Sequence, residues 1–134
     1  MARLTIHDLA GSTLAFDLRD VVRVLAPVSL SAIWTVKSPE DEAFEATGTG
    51  GLRLAELAEA TARISGEELQ SIAHATTQVI WGDFVGALPD KPDQEWLIIR
   101  AIDSSFYAIE TLDRAAVEKV KLNFTDVRNV EEAC

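Results

Sequence analysis

Apolar residues recur along this chain with two periods, one helical and one extended. Leu18, Val21, Val22 and Leu25 are spaced i, i+3, i+4 and i+7, which puts all four on one helical stripe. Asp17 stands at the N-cap position of that stripe, and Pro27 stops it. The same spacing links Leu54, Leu57, Ala58, Thr61 and Ile64 and predicts a helix over Leu52–Ile64, with Glu56 and Glu59 outside. Ser65-Gly66-Glu67-Glu68 has the capping-box pattern and predicts a further helix over Glu67–Ala75 that buries Leu69, Ile72 and Ala73. Ala116, Val117, Val120 and Phe124 mark a last helix over Asp113–Phe124.

The extended segments are Ser31–Lys37, Gln78–Leu88, Trp96–Ile102 and Phe106–Thr111, all rich in β-branched and aromatic residues. Within Gln78–Leu88, Gly82 and Gly86 signal a bulge, a bend or a close neighbour. Asp103-Ser104-Ser105 has the chemistry of a tight turn between the last two of these strands, one long bulged strand being the alternative. Pro89–Gln94 is a polar turn, and Asp126–Val130 is expected as a final edge strand. Two readings fit the N-terminus. Leu4–Asp8 and Thr13–Asp17 form a hairpin around Ala10-Gly11-Ser12, or a strand is followed by a helix that Ser12 caps near Thr13; the second is preferred. Ser38–Gly51 reads as an acidic loop ending in Gly48, Gly50 and Gly51. Strands that follow one another without intervening helices favour antiparallel pairing. The expected fold is α+β, a single domain over 1–134, with a mainly antiparallel sheet packed against three to four helices.

Charge narrows the functional classes. Lys and Arg number 12 against 22 Asp and Glu, a formal net charge of −10. That balance disfavours the phosphate backbone of nucleic acids and anionic membrane surfaces as partners, and suits a basic protein. No apolar run reaches membrane-spanning length and no signal-peptide pattern opens the chain, so a cytoplasmic location is expected. The single cysteine, Cys134, excludes an internal disulfide and a Cys-rich zinc site, and is expected to be a frayed thiol.

Signals of catalysis or cofactor binding are weak. Thr47-Gly48-Thr49-Gly50-Gly51 precedes a helix but lacks the Gly-Lys-Ser/Thr of a phosphate loop, and carboxylates just upstream repel anions. His7 and Asp8 are strand neighbours whose side chains diverge, and His74 falls at a helix end where a cation suits the dipole. Ser104 and Ser105 have no histidine near in sequence. No cofactor or metal is expected. The more informative groups are Asp83, inside an apolar strand, Arg100, interrupting another, and Asp103 at its end. Antiparallel pairing of the last strands would put them on one face, with Arg100 paired to Asp83 or Asp103. Trp34, Trp81 and Trp96 all fall in expected strands, and Val79, Trp81, Asp83 and Val85 alternate onto one half-polar face.

The run Gln78-Val79-Ile80-Trp81-Gly82-Asp83-Phe84, followed by Trp96–Ile102 and Asp103-Ser104-Ser105-Phe106-Tyr107, resembles the C-terminal strands of small uncharacterised bacterial proteins. Some small acidic proteins of that type are immunity partners of secreted toxins. The likeness covers roughly the last 55 residues, rests on a hairpin pattern, and carries no functional residue with it. It is in line with a non-enzymatic binding module in which Glu40, Asp41, Glu42 and Glu45 steer a basic partner and Trp81, Asp83, Arg100 and Asp103 anchor it. The alternatives are a small-ligand protein or enzyme with a pocket beside the sheet, built from Asp83, Asp103, Arg100 and His74, and a homo-oligomer.

Overall fold

The computed structural model describes residues 2–130; Cys134 lies outside them. Among the described residues ten strands and five helices follow one another: β1 (Ala2–Ile6), β2 (Leu9–Ala10), β3 (Thr13–Leu14), α1 (Leu18–Val24), α2 (Val28–Ser31), β4 (Ile33–Lys37), β5 (Glu45–Thr47), α3 (Thr49–Glu59), β6 (Arg63–Ser65), α4 (Gly66–His74), β7 (Gln78–Ala87), β8 (Leu97–Ile102), β9 (Phe106–Thr111), α5 (Arg114–Asn123) and β10 (Val127–Asn129). The main sheet runs β10-β1-β9-β8-β7-β4-β6, with β5 also pairing β7, and every pairing in it is antiparallel. This is an α+β domain of two layers.

Strand alternation assigns the two faces. Leu4, Ile109, Ile99, Phe84 and Val36 stand side by side across five strands and are all buried. They join one apolar cluster with Leu18, Val21 and Val22 of α1, Leu54 and Leu57 of α3, Leu69 of α4 and Val120 of α5. The next residue along each strand points the other way. Thr5, Ala108, Arg100, Asp83 and Lys37 form a second row, and none of them belongs to the cluster that packs on the helices. One face of the sheet therefore packs on the helices; the other, the open face, lies outside that cluster and carries the charged groups, with Thr5, Ala108 and Asp83 buried among their neighbours and Lys37 exposed.

Local chemistry sets the element ends. At α1 the Asp20 carboxylate accepts the Asp17 amide at 2.9 Å. Ser65 Oγ accepts the Glu68 amide at 3.1 Å at the start of α4, and Asp113 accepts the amides of Ala115 and Ala116 at the start of α5. The helix expected over Leu52–Ile64 is displaced. It starts at Thr49 and stops at Glu59, because the chain closes with the Ala62 amide on the Leu57 carbonyl and the Thr61 amide on that of Ala58. That is the Schellman pair of bonds, with Thr61 in the left-handed region at φ 49°. Ile64 is consequently on a strand, opposite Trp34. No helix begins near Thr13; β2 and β3 form a two-rung hairpin there instead. A one-turn helix, α2, follows Pro27 and makes a fifth helix where three to four were expected.

Ser38–Gly51 is not one long loop. Glu45–Thr47 pairs with β7, and α3 begins two residues later. The reason lies at Gly82: a Cβ there would stand 2.5 Å from Cε2 of Phe44, whose ring packs edge-on to Phe84 and fills the space a side chain would need. Gly86 serves Trp34 in the same way, at 2.9 Å from the ring. The two glycines thus mark close neighbours. The bulge lies elsewhere: Glu45 and Ala46 face Trp81 and Val79, which leaves Ile80 as the extra residue. That shift turns Val79 into the core and off the face it was expected to share with Trp81, Asp83 and Val85. Among the described residues no helix is long and apolar enough to cross a membrane.

Candidate functional site

The middle of the open face is held by one cation between two acids. Arg100 on β8 donates from Nη1 to Asp83 Oδ2 on β7 at 2.7 Å and from Nε to Glu110 Oε2 on β9 at 2.5 Å. Asp83 and Arg100 are direct cross-strand partners, and Glu110 is diagonal to Arg100. Side-chain exposure is 10% for Asp83, 17% for Glu110 and 33% for Arg100, so the network is largely shielded from water. Burial pushes the Asp83 carboxyl above the ordinary aspartate value, although Arg100 and then Lys37 pull the other way; Glu110 adds to the rise. Burial works against the Arg100 charge, but the Glu110 hydrogen bond and Asp83 more than offset it and hold the guanidinium above its usual value.

The acidic segment closes over one side of this network. Glu40, Asp41 and Glu42 line a cleft of about 290 Å³ with Trp81, Asp83 and Arg100. Both ends of the segment are tied down, by Lys37 at the end of β4 and by Phe44 in its slot over Gly82. Glu45 lies opposite Trp81 across the β5–β7 pairing. All four carboxylates of the segment are exposed, and none has an ion-pair partner among the described residues. Of the three tryptophans, Trp34 is fully buried and donates to the Ser29 carbonyl, and Trp96 precedes β8 and donates to Asp113. Trp81 is half-buried, and its indole makes no hydrogen bond among the described residues.

Of the residues expected at the site, Asp103 and His74 stand apart from the others. Asp103 sits in the β8–β9 turn, exposed, at φ 51°, with Ser104 at φ 58° and the Ser105 amide on the Ile102 carbonyl. It lies beyond the last paired residue of β8 and makes no ion pair with Arg100. Glu110 takes the second place on the guanidinium. Its signal in the sequence is a lone acid at an alternating position of an otherwise apolar strand, matching the lone Arg100 on the neighbouring one. His74 is in the last turn of α4, in the helical layer and away from the cleft.

Other candidate chemistry is absorbed by structure. The amide of Gly50 at the start of α3 donates to the Ala75 carbonyl at 2.9 Å, and Thr49 Oγ1 donates to the same oxygen, so the end of α4 occupies the place a phosphate would take. His7 stacks on Phe106 and bonds Thr5 Oγ1 through Nε2, while the Asp8 carboxylate accepts the amides of Thr125 and Asp126. Among the described residues no group of three or more His, Cys, Asp or Glu side chains is placed to hold a metal ion. Comparison with family models, with curated proteins and with solved structures finds no match to this chain.

Proposed function

We propose that the protein is a non-enzymatic protein-binding module that receives a basic partner on the open face of its sheet, in the manner of an immunity or antitoxin-like inhibitor. The observation that carries this reading is the convergence around Trp81. Exposed, unpaired carboxylates stand on one side of a half-buried indole, and an ion-paired floor stands beneath it. Anchoring at Lys37 and Phe44 holds both ends of the segment beside the cleft before a partner arrives, which lowers the ordering cost of association. An excess of one charge speeds capture of the opposite one and turns away wrong partners. The cleft offers little to catalysis, because Arg100 engages both interior carboxylates and none of the residues lining it carries a hydroxyl or thiol nucleophile.

The test compares the wild type with the variant Glu40→Gln/Asp41→Asn/Glu42→Gln/Glu45→Gln as baits in host lysate at low and high salt. A basic protein retained in stoichiometric amount by the wild type, released by salt and lost from the variant, supports the reading. With that partner purified, the variant is expected to bind more slowly and with a flatter salt dependence, its folding unchanged. A partner held equally by both baits would remove the acidic segment from the interface.

A further inference from the structure

We infer that the cleft beside Trp81 is a receptacle for one cationic side chain, a guanidinium or an ammonium, which the basic partner inserts between Trp81 and Asp83; the inference rests on the protein-binding reading. Three independent features point to a cation. The first is Asp83. Its side chain is nine-tenths buried and lines the cleft, and Arg100 engages only Oδ2. No hydrogen bond among the described residues reaches its other oxygen, which is left open to solvent at the cleft wall and free to accept from an incoming donor. Burial already raises its pKa, the response of a carboxylate short of compensating charge.

The second feature is Trp81. Trp34 and Trp96 have their indole N–H groups tied down, whereas Trp81 is half-exposed and borders the cavity. An indole is the strongest aromatic platform for a cation. The third is the rim, where Glu40, Asp41 and Glu42 hold negative potential over the opening. An anion meets the reverse: Arg100 already carries two carboxylates, and the rim repels. At about 290 Å³ the cleft is at the lower bound of cavities that enclose a small-molecule ligand, which suits the end of a side chain better than a whole substrate.

The probe is N-acetyl-arginine amide, titrated at low salt into the ¹⁵N-labelled protein, with the neutral isostere N-acetyl-citrulline amide as control. A saturable shift of the Trp81 indole signal is expected, with the Trp34 and Trp96 signals still. The citrulline compound should bind about tenfold more weakly or not at all. Asp83→Asn should weaken binding of the arginine probe, and if that variant fails to fold, Glu42→Gln is read instead. Absence of saturation, equal binding of the two compounds, or equal movement of the Trp96 signal would overturn the receptacle. The partner separates the two levels of the reading. Capture lost in the neutralised segment but kept in Trp81→Ala would overturn the receptacle and leave the docking face standing. Saturable arginine binding with no basic partner retained from lysate would support the cation site and overturn the protein-binding reading.

Discussion

Replacing Arg100 by Met keeps most of the side-chain volume and removes the charge that two acids share. Asp83 and Glu110, 10% and 17% exposed, would then face each other with no cation between them. Breaking a fully buried pair from one side costs about 3–5 kcal/mol. Arg100 is itself a third exposed, so water enters where it leaves, and the expected loss is about 2–3 kcal/mol near neutral pH. Urea unfolding would show it as a lower midpoint at unchanged slope. Adding Asp83→Asn and Glu110→Gln to Arg100→Met should recover at least half of the loss, since no uncompensated charge remains. The pH dependence is a second reading of the same physics. Without Arg100, the causes that raise the Asp83 pKa, burial and Glu110, act with less opposition. A raised folded-state pKa contributes stability below the unfolded value that is lost as pH rises through the folded one. The gap between wild type and Arg100→Met should therefore be small at about pH 3 and open as pH climbs through the carboxylate range toward about 7. A neutral-pH loss below about 1 kcal/mol, or a gap that does not change with pH, would refute the shielded-network description.

Three further outcomes are expected. Thr61→Gly should stabilise by about 0.5–1 kcal/mol, because a β-branched residue occupies the left-handed position of a Schellman turn, and Thr61→Ala should not reproduce the gain in a denaturant titration. Gly82→Ala should cost about 1–3 kcal/mol by pushing Phe44 from its slot, and should slow partner association by loosening the acidic segment, checked by unfolding and by stopped-flow binding. Tyr107→Phe should leave thermal stability unchanged or raise it slightly, because the phenol is fully buried and its hydroxyl has no well-formed hydrogen bond although the Leu18 amide lies on that side.

Those features differ in how openly the sequence displays them. The four long strands, the start of α4 at Ser65 and that of α5 at Asp113 follow from alternation and capping chemistry, which act over a few neighbouring residues. The end of α3 escapes the same reading because Thr61 stands where glycine is the usual stop signal, so the apolar spacing runs on to Ile64 across a chain reversal. β5 escapes it because Glu45-Ala46-Thr47 has little strand character of its own; its place is decided by Phe44 meeting Gly82, a contact 38 positions away in the chain. The site shows the same division. Asp83 and Arg100 stand out as charges within apolar runs, and their pairing needs only adjacent antiparallel strands. That Glu110 rather than Asp103 completes the network depends on where the β8–β9 turn falls, and the two left-handed residues Asp103 and Ser104 decide it.

The position of β1 has a consequence for how the chain acquires this form. Among the described residues its only strand partners are β9 and β10, so Ala2–Ile6 waits for residues more than a hundred positions downstream. During synthesis β1 has no hydrogen-bonding neighbour in the sheet until Phe106–Thr111 has followed, while β4, β6, β7 and β8 can already assemble. Closing so long a span adds entropy cost before any contact repays it, which makes docking of the N-terminal strand a late and slow event. Until then the β9 side of the growing sheet stays open, and nascent chains halted before β9 would carry an orphan apolar strand, the species on which a chaperone would act.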